Sequence, residues 1–241
     1  MSNYHKLYTP QDSAVVFIDF QPQMIFGVAN MDRAAMLNNV TLLAKVAKEF
    51  KVPAVVTSVE SESFSGYVVP QLLDVFSGQA VVERSSMNSW DDAGFRKAVE
   101  ATGKKNILMT GLWTEVCVTW PTIEMLGAGY NIYVVEDCCG ATSTTAHEAA
   151  LSRMVQAGAV RLTAIAALLE WQRDWARKEH YDALMKLLRP QAGAYGAGVE
   201  YAYTMVHHAP QSAKKPQVVS KKSAGDGPGR GVTPAATKAR R

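Results

Sequence analysis

The chain has 241 residues, 48% of them hydrophobic and 20% charged, which fits one globular domain with enough apolar residues for a sizeable core. The formal net charge of +3 arises at the C-terminal end, where residues 213–241 hold eight Lys or Arg and one acid, whereas the preceding residues hold 17 basic and 21 acidic ones. A net negative main body gives no electrostatic case for a nucleic-acid partner.

Six short apolar runs rich in Val and Ile predict β-strands that are buried on both faces, as in parallel sheets. The runs are residues 14–19, 53–58, 80–84, 106–111, 131–137 and 160–164. Amphipathic segments separate them: residues 31–50 place Met36 and Val40 on one helical face, and residues 144–158 end at a glycine suited to a helix C-terminus. This alternation predicts an α/β fold, a three-layer sandwich in which helices cover a mostly parallel sheet.

A segment with several large apolar side chains, residues 165–190, follows the last predicted strand. These side chains are Trp171, Trp175, Tyr181, Leu184 and Leu188. The segment either packs on its own sheet or forms part of a subunit interface. Because no later strand covers it, we expect a homo-oligomer. The composition then shifts to Pro, Gly, Ser and Lys, which predicts a domain over residues 1–190 and a disordered basic tail over residues 191–241.

Nothing in the sequence indicates secretion or a membrane partner. The first apolar run, residues 14–18, is too short for a signal peptide, and no run approaches the roughly 20 apolar residues that span a bilayer. The three cysteines, Cys117, Cys138 and Cys139, do not make a disulfide framework. We therefore expect a cytoplasmic protein in a reducing compartment.

Three residues able to do chemistry end or follow predicted strands. Asp19 ends the first strand, Arg84 ends the third, and Cys117 follows the fourth. In parallel sheets, ligands bind beyond the carboxyl ends of the strands, so these side chains share one edge. Each also has a structural interpretation alone: a turn residue, a surface cation and a packed thiol. Their joint occurrence favours a site.

A thiol in this place can act as a nucleophile once it is ionised. Thr114 is a good N-cap residue, which would place Cys117 in the first turn of a helix, and a nearby Arg84 would favour the thiolate further. We therefore expect the thiol pKa to fall. Arginine stays protonated, so Asp19 is the candidate base, and desolvation would raise its pKa toward that task.

The sequence around these positions resembles the isochorismatase-like cysteine hydrolase family, most of all its YcaC-like branch. The resemblance covers about residues 10–190 and is carried by "VVFIDFQ", "ERSSMNSWDD", "TGLWTEVCV", "GYNIYVVEDCCGA" and "RMVQAGA". It implies a six-stranded parallel sheet in the order 3-2-1-4-5-6 and a catalytic triad of Asp19, Arg84 and Cys117. In that family the thiolate attacks a carbonyl carbon and forms an acyl-enzyme.

The chain departs from the family pattern in two ways. Arg84 stands where the family usually has lysine, and it keeps the charge but cannot shuttle a proton. Nicotinamidases of the family carry an Asp-x-His-x-His metal motif after the second strand, whereas the matching stretch here, "SVESESFSG", has no histidine. Glu60 and Glu62 could hold a hard cation or simply be solvated. We predict no metal and no cofactor.

Further residues on the same loops are candidates for the pocket. The resemblance implies a cis peptide bond between Leu112 and Trp113, with the Trp113 and Cys117 N–H groups forming an oxyanion hole. The candidate substrate-binding residues are Phe20, Gln21, Phe26, Asn88, Trp90, Trp113 and Thr114. Gln21 could instead tie down a loop, and Asn88 could be a turn residue. His147 is expected to be structural.

The sequence thus favours a cysteine hydrolase that cleaves the C–N bond of a small amide, a small-molecule substrate. Two alternatives stay open. One is a non-catalytic oligomeric protein that keeps a vestigial pocket. The other is a cysteine redox sensor that uses the neighbouring Cys138 and Cys139.

Overall fold

The computed structural model describes residues 6–206 and is built around a six-stranded, all-parallel sheet. Its strands are β1 (Ser13–Ile18), β2 (Ala54–Val59), β3 (Val82–Arg84), β4 (Asn106–Leu112), β5 (Asn131–Gly140) and β6 (Val160–Leu162). The order across the sheet is β3-β2-β1-β4-β5-β6, which confirms the implied topology. Strand order reverses beside β1, so β1 and β4 flank the point where such sheets bind ligands.

The central strands are continuous apolar runs because helices cover both of their faces. All six residues of β1 are buried, and its register pairs Ile18 with Gly111 of β4 and with Thr57 of β2. The last strand-end residues of β1, β2 and β4 therefore meet at one edge. Cys138 and Cys139 lie inside β5 and are fully buried free thiols.

Nine α-helices accompany the sheet within residues 6–206. They are α1 (Pro22–Phe26), α2 (Arg33–Glu49), α3 (Pro70–Leu73), α4 (Ala93–Ala101), α5 (Thr119–Gly127), α6 (Thr144–Ala157), α7 (Ala164–Gln172), α8 (Tyr181–Gln191) and α9 (Gly193–Tyr201). Helix α2 packs with α7 and α8, and α5 packs with α6, which produces helical layers around the sheet. No helix of the described residues is long and apolar enough to cross a membrane.

Local sequence signals set several helix ends. The side chains of Asp32, Asp92 and Ser143 each accept a hydrogen bond from the backbone N–H three residues later, at the starts of α2, α4 and α6. Helix α6 ends at Gly158, whose φ of 109° is readily adopted only by glycine, as the sequence predicts.

The large apolar residues of the 165–190 segment pack mainly within their own subunit. Trp171 is 1% exposed, and its Nε1 donates a hydrogen bond to Ser13 Oγ at 3.0 Å. Leu184 and Leu188 are fully buried, while Trp175 alone of the tryptophans here is partly exposed. Helix α2, which packs with α7 and α8, covers them, as in the alternative that the segment packs within its own subunit.

Helical structure continues beyond residue 190, where the composition predicts the domain boundary. Helix α9 follows α8 after one residue, and the Gln191 backbone carbonyl accepts a hydrogen bond from Asn38 Nδ2 at 2.6 Å. The compact unit reaches Tyr201, beyond the predicted boundary at residue 190. A second unit begins with a helical turn over Ala202–Val206. The predicted disorder of residues 207–241 lies outside the described residues.

Candidate active site

Asp19 stands directly after β1 in a conformation that non-glycine residues seldom adopt. Its φ is 58°, and the Asp19 carbonyl accepts a hydrogen bond from Gln21 N at 2.7 Å, so the chain turns sharply there. Such left-handed positions cluster at functional sites, where the surroundings hold them. The turn leaves the Asp19 carboxylate inside the protein, with no exposed surface.

Arg84, the last residue of β3, forms a buried ion pair with Asp19. Its Nη2 lies 2.7 Å from Asp19 Oδ1 and 2.6 Å from Oδ2, and both side chains are fully buried. Arg84 Nη1 donates to the Ser86 carbonyl, while Nε has no hydrogen-bond partner among residues 6–206. The Arg84 guanidinium is therefore held between the Asp19 carboxylate and the Ser86 carbonyl.

Cys117 lies at the start of the helical region after β4 and interacts with both members of this pair. The thiol is 3% exposed, hydrogen-bonds the Asp19 carboxylate, and receives a backbone hydrogen bond from Trp113. Residues Thr114–Val118 form a wide helical turn rather than a regular first turn, and Thr114 makes no N-cap hydrogen bond. The predicted capping geometry is therefore wrong, although the predicted meeting of Asp19, Arg84 and Cys117 is observed.

Burial dominates the electrostatics of this cluster. It raises the pKa of Asp19 to about 6, against the opposing positive charge of Arg84. Burial also raises the pKa of the Cys117 thiol to about 12, and the Asp19 charge adds to that rise. The expected fall of the thiol pKa is thus wrong for the resting site. At neutral pH the site holds a neutral thiol beside an Asp19–Arg84 ion pair.

Thr114 anchors the start of the helical segment that carries Cys117. Its Oγ1 donates to the Gly140 carbonyl at 3.0 Å and lies 2.9 Å from His147 Nδ1. Since its single proton goes to the carbonyl, His147 Nδ1 donates to Thr114. Burial lowers the pKa of His147, which favours the neutral ring. His147 is therefore structural, as predicted. The Thr114 hydroxyl is fully engaged by its hydrogen bonds with Gly140 and His147.

The peptide bond between Leu112 and Trp113 is cis, as the resemblance implies. The Trp113 indole is fixed against α1, since Nε1 donates to the Met24 carbonyl at 2.8 Å. A Cβ on Gly27 would collide with the indole ring, so glycine there permits the close packing. These contacts fix the Trp113 indole against α1.

Gln21 clamps the segment that follows β2. Its amide nitrogen donates to the Val59 carbonyl at 3.0 Å and to the Gly66 carbonyl at 2.5 Å, and its amide oxygen accepts from Val59 N. The same nitrogen lies 3.2 Å from Ser61 Oγ. With its polar atoms so engaged, Gln21 ties down the loop, and the alternative of substrate contact is not supported.

Four other candidate residues separate into structural and exposed positions. Phe20 is fully buried against Phe17, and Asn88 accepts from Trp90 N and donates to Glu124. Trp90 packs edge-on against Phe95 and Tyr130. These three therefore build the scaffold rather than a binding surface.

Phe26 is the fourth of these residues, and it lies on the surface. Its side chain is exposed at the end of α1, so within this subunit it does not line a buried pocket as a substrate-binding residue would.

The sequence does not predict the hydrogen-bond network around Glu83. The Glu83 carboxylate accepts from Ser58 Oγ at 2.6 Å, Ser61 N at 2.8 Å and Ser61 Oγ at 2.6 Å. Although burial opposes it, these hydrogen bonds hold the pKa of Glu83 below its ordinary value. The adjacency of Glu83 to Arg84 in the sequence was the available signal.

A cavity of about 780 Å³ opens beside Arg84. Its lining includes the Glu83 network, the carboxylates of Glu60 and Glu62, and the apolar side chains of Tyr67 and Leu73. Across residues 6–206, no group of three or more His, Cys, Asp or Glu side chains is arranged to hold a metal ion. Arg84 lines this cavity, whereas Asp19 and Cys117 are not among its lining residues.

Residues 13–166, which include Asp19, Arg84 and Cys117, match the family model for the isochorismatase domain. The probable hydrolase YcaC of Escherichia coli K12 is 34% identical over 165 residues, which are 68% of this chain and 79% of that protein.

Solved structures agree with the sequence match. YcaC from Pseudomonas aeruginosa, with hexane-2,5-diol and covalent acrylamide, has a TM-score of 0.78 at 32% identity and covers 83% of this chain and 98% of its own. Escherichia coli YcaC, an octameric hydrolase of unknown specificity, has a TM-score of 0.78 at 30% identity and covers 84% and 98%. On both sequence and structure, this chain belongs to the isochorismatase family of hydrolases, among its YcaC-like members.

Proposed function

We propose that this protein is a cysteine hydrolase that cleaves the C–N bond of a small amide through a thioester acyl-enzyme. The observation that carries the proposal is the contact of the Cys117 thiol with a buried Asp19–Arg84 ion pair. It brings a nucleophile, a base and a fixed positive charge together at the carboxyl edge of the sheet.

The raised thiol pKa fits a nucleophile that loses its proton only when it attacks. The Asp19 charge helps to raise the thiol pKa, and transfer of the thiol proton to Asp19 removes that same charge. The negative charge then lies on sulfur near Arg84, whose guanidinium stabilises it. The two groups therefore titrate as a unit, and proton transfer accompanies formation of the S–C bond.

The first half of the reaction forms the acyl-enzyme. The Cys117 sulfur bonds to the amide carbonyl carbon while its proton moves to Asp19, and the carbonyl oxygen becomes an oxyanion. Backbone N–H groups of Trp113 and Cys117 are the proposed donors to that oxyanion. Asp19 then protonates the leaving nitrogen, the C–N bond breaks, and a thioester remains on Cys117.

The second half returns the enzyme to its resting state. Asp19, again a carboxylate, takes a proton from a water molecule that attacks the thioester carbonyl. The C–S bond breaks, the acid is released, and the sulfur takes back the proton from Asp19. An Asp19 pKa near 6 suits both roles close to neutral pH.

Arg84 contributes charge and position but no proton transfer. Its Nη2 contacts both carboxylate oxygens of Asp19, and its charge opposes the rise of the Asp19 pKa, so that the base stays ionised at neutral pH. The Pseudomonas aeruginosa relative supports a reactive group in this fold, since covalent attachment of acrylamide requires a nucleophile in that protein.

Assembly and compartment are further parts of the proposal. The octameric state of Escherichia coli YcaC supports a homo-oligomer of this chain. The three cysteines are free, which fits a reducing compartment such as the cytoplasm.

The test is a screen of small amides against the purified protein, with release of ammonia or amine as the readout. We expect turnover by the wild type and by Cys138→Ala, and none by Cys117→Ala. Intact-mass measurement during turnover should show an acyl adduct on the wild type alone. Turnover that persists in Cys117→Ala would contradict the mechanism.

A non-catalytic role is the second candidate, and the deep burial of the thiol is the observation that favours it. Under that role Cys117 would resist a small electrophile at every pH, whereas the hydrolase requires a thiol that reacts when Asp19 is ionised. A redox role for Cys138 and Cys139 has less support, because both thiols are fully buried inside β5.

A further inference from the structure

Glu83 places a second carboxylate in the neighbourhood of the Asp19–Arg84 ion pair, and no step of the proposed reaction uses it. It precedes Arg84 in β3, and its register partner in the neighbouring strand β2 is Ser58. Register partners point to the same face of a sheet, and the Ser58 hydroxyl donates to the Glu83 carboxylate at 2.6 Å. The Glu83 side chain is therefore held at the end of the sheet that carries the candidate active site.

Both oxygens of the Glu83 carboxylate accept hydrogen bonds. Oε2 accepts from the Ser58 and Ser61 hydroxyls, each at 2.6 Å, and Oε1 accepts from Ser61 N at 2.8 Å. The backbone reaches Ser61 through a left-handed turn at Glu60, whose N–H donates to the Arg84 carbonyl at 3.0 Å. Burial opposes ionisation of Glu83, but these hydrogen bonds hold its pKa below the ordinary value, so it is charged at neutral pH.

Ser61 joins Glu83 to the turn that carries Asp19. Its hydroxyl donates its single proton to Glu83 and accepts a hydrogen bond from Gln21 Nε2 at 3.2 Å. Gln21 N in turn donates to the Asp19 carbonyl at 2.7 Å, within the left-handed turn that leaves the Asp19 carboxylate buried. A chain of hydrogen bonds therefore runs from Glu83 through Ser61 and Gln21 to the residue proposed as the base.

Glu83 also acts on Asp19 through its charge. Burial is the main cause of the raised pKa of Asp19, Arg84 opposes it, and the negative charge of Glu83 adds to it. Arg84 lowers the pKa of both carboxylates, so one cation serves two anions. Four further titratable side chains lie around this cluster: Glu60, Glu62, Tyr67 and Cys117. Removal of the Glu83 charge should lower the pKa of Asp19.

We propose that Glu83 is a positioning residue for Asp19, the base of the candidate active site. Its carboxylate holds the turn in place through Ser61 and Gln21, and its charge offsets part of the effect of Arg84. A carboxylate paired with a cation of its own is a weak base, and a second carboxylate beside that cation keeps Asp19 able to take a proton near neutral pH. This inference rests on the proposed function, in which Asp19 accepts the thiol proton.

The alkylation rate of Cys117 by iodoacetamide, measured from pH 4.5 to pH 8, reports the protonation of Asp19 through the thiol that contacts it. In the wild type the rate should rise and level off above about pH 6. Glu83→Gln keeps the shape of the side chain but removes its charge, so the inflection should move to lower pH by about 0.5. A loss of stability alone would not move it. Glu62→Gln is the matched control: it removes an exposed carboxylate from the same cavity and should keep the wild-type inflection.

Ser61→Ala separates position from charge, and it tests the hydrogen-bonded link even if Glu83→Gln does not fold. It breaks the link between Glu83 and Gln21 but leaves the carboxylate charged. The alkylation rate at pH 8 should therefore fall several-fold, while the inflection stays near that of the wild type. An inflection unchanged in Glu83→Gln, or a rate unchanged in Ser61→Ala, would overturn the inference alone. A wild type without an inflection would refute Asp19 as the base, and with it both the inference and the proposed function.

Discussion

At the scale of single residues, three side chains from distant parts of the sequence meet because three parallel strands end at one edge. The sequence predicts this meeting, since strand ends are readable from apolar runs. It does not predict the raised thiol pKa, because the burial of Cys117 depends on the tertiary packing around it. The positive φ of Asp19, which turns its carboxylate inward, is also invisible in the sequence.

Arg84 is the charged partner of Asp19, and substitution there tests its role. Arg84→Lys keeps a positive charge beside Asp19 and should retain measurable activity. Arg84→Met leaves the buried Asp19 carboxylate unpaired, so the free energy of unfolding at pH 8 should fall by about 3–5 kcal/mol and activity should be lost. Urea unfolding and amide turnover are the measurements.

The pH dependence of that loss has a definite sign. Without Arg84, the pKa of Asp19 rises further above its unfolded value, and the folded state then holds a proton more tightly than the unfolded chain. Arg84→Met should therefore regain stability as the pH falls from 8 through that raised pKa, which lies above 6, toward the unfolded value of 3.8. Equal destabilisation at pH 5 and pH 8 would show that the ion pair contributes little.

At the scale of secondary-structure elements, the sequence predicts which segments are strands and helices better than it predicts their contacts. The six apolar runs are strands, and Gly158 ends its helix as expected. The start of the helical segment that carries Cys117 differs from the prediction, because Thr114 bonds to Gly140 and His147 rather than capping the first turn. The clamp by Gln21 is likewise a tertiary contact, and such contacts override local preferences.

The packing of α1 on Trp113 provides a test at this scale. Gly27→Ala places a methyl group against the indole, which is fixed by its hydrogen bond to Met24, so α1 or Trp113 must move. We expect a fall in kcat/KM with a stability loss of about 1–3 kcal/mol. Gly127→Ala is the control, since the added methyl group meets no atom within 4 Å. Unchanged kcat/KM in Gly27→Ala would show that the fixed position of the Trp113 indole is not needed for activity.

At the scale of the whole molecule, composition and the family resemblance predict the sheet and its layers, but not where the compact unit ends. The composition after residue 190 predicts a tail, yet α9 packs closely on α8. At their contact, Gly196 lies so near the Leu188 carbonyl that there is no room for a Cβ. The apolar residues of the 165–190 segment suggested an interface because α2, the helix that packs over them, is distant in sequence.

Truncation tests this boundary. A chain that ends at residue 190 loses α9 and the hydrogen bonds of Gln191 to Asn38 and Lys45. It should unfold at a lower urea concentration than a chain that ends at residue 206. Identical urea midpoints for the two truncations would place the boundary at 190, as the composition suggests.

The alkylation rate of Cys117 by iodoacetamide, followed from pH 5 to pH 9 by peptide mass spectrometry, tests the central claim most directly. If Asp19 takes the thiol proton, the rate should rise with pH, level off above about pH 6, and lose this inflection in Asp19→Asn. The Cys138 and Cys139 peptides should stay unlabelled, because both thiols are fully buried. A rate that climbs steadily to pH 9 in both proteins, or an unlabelled Cys117, would contradict the account.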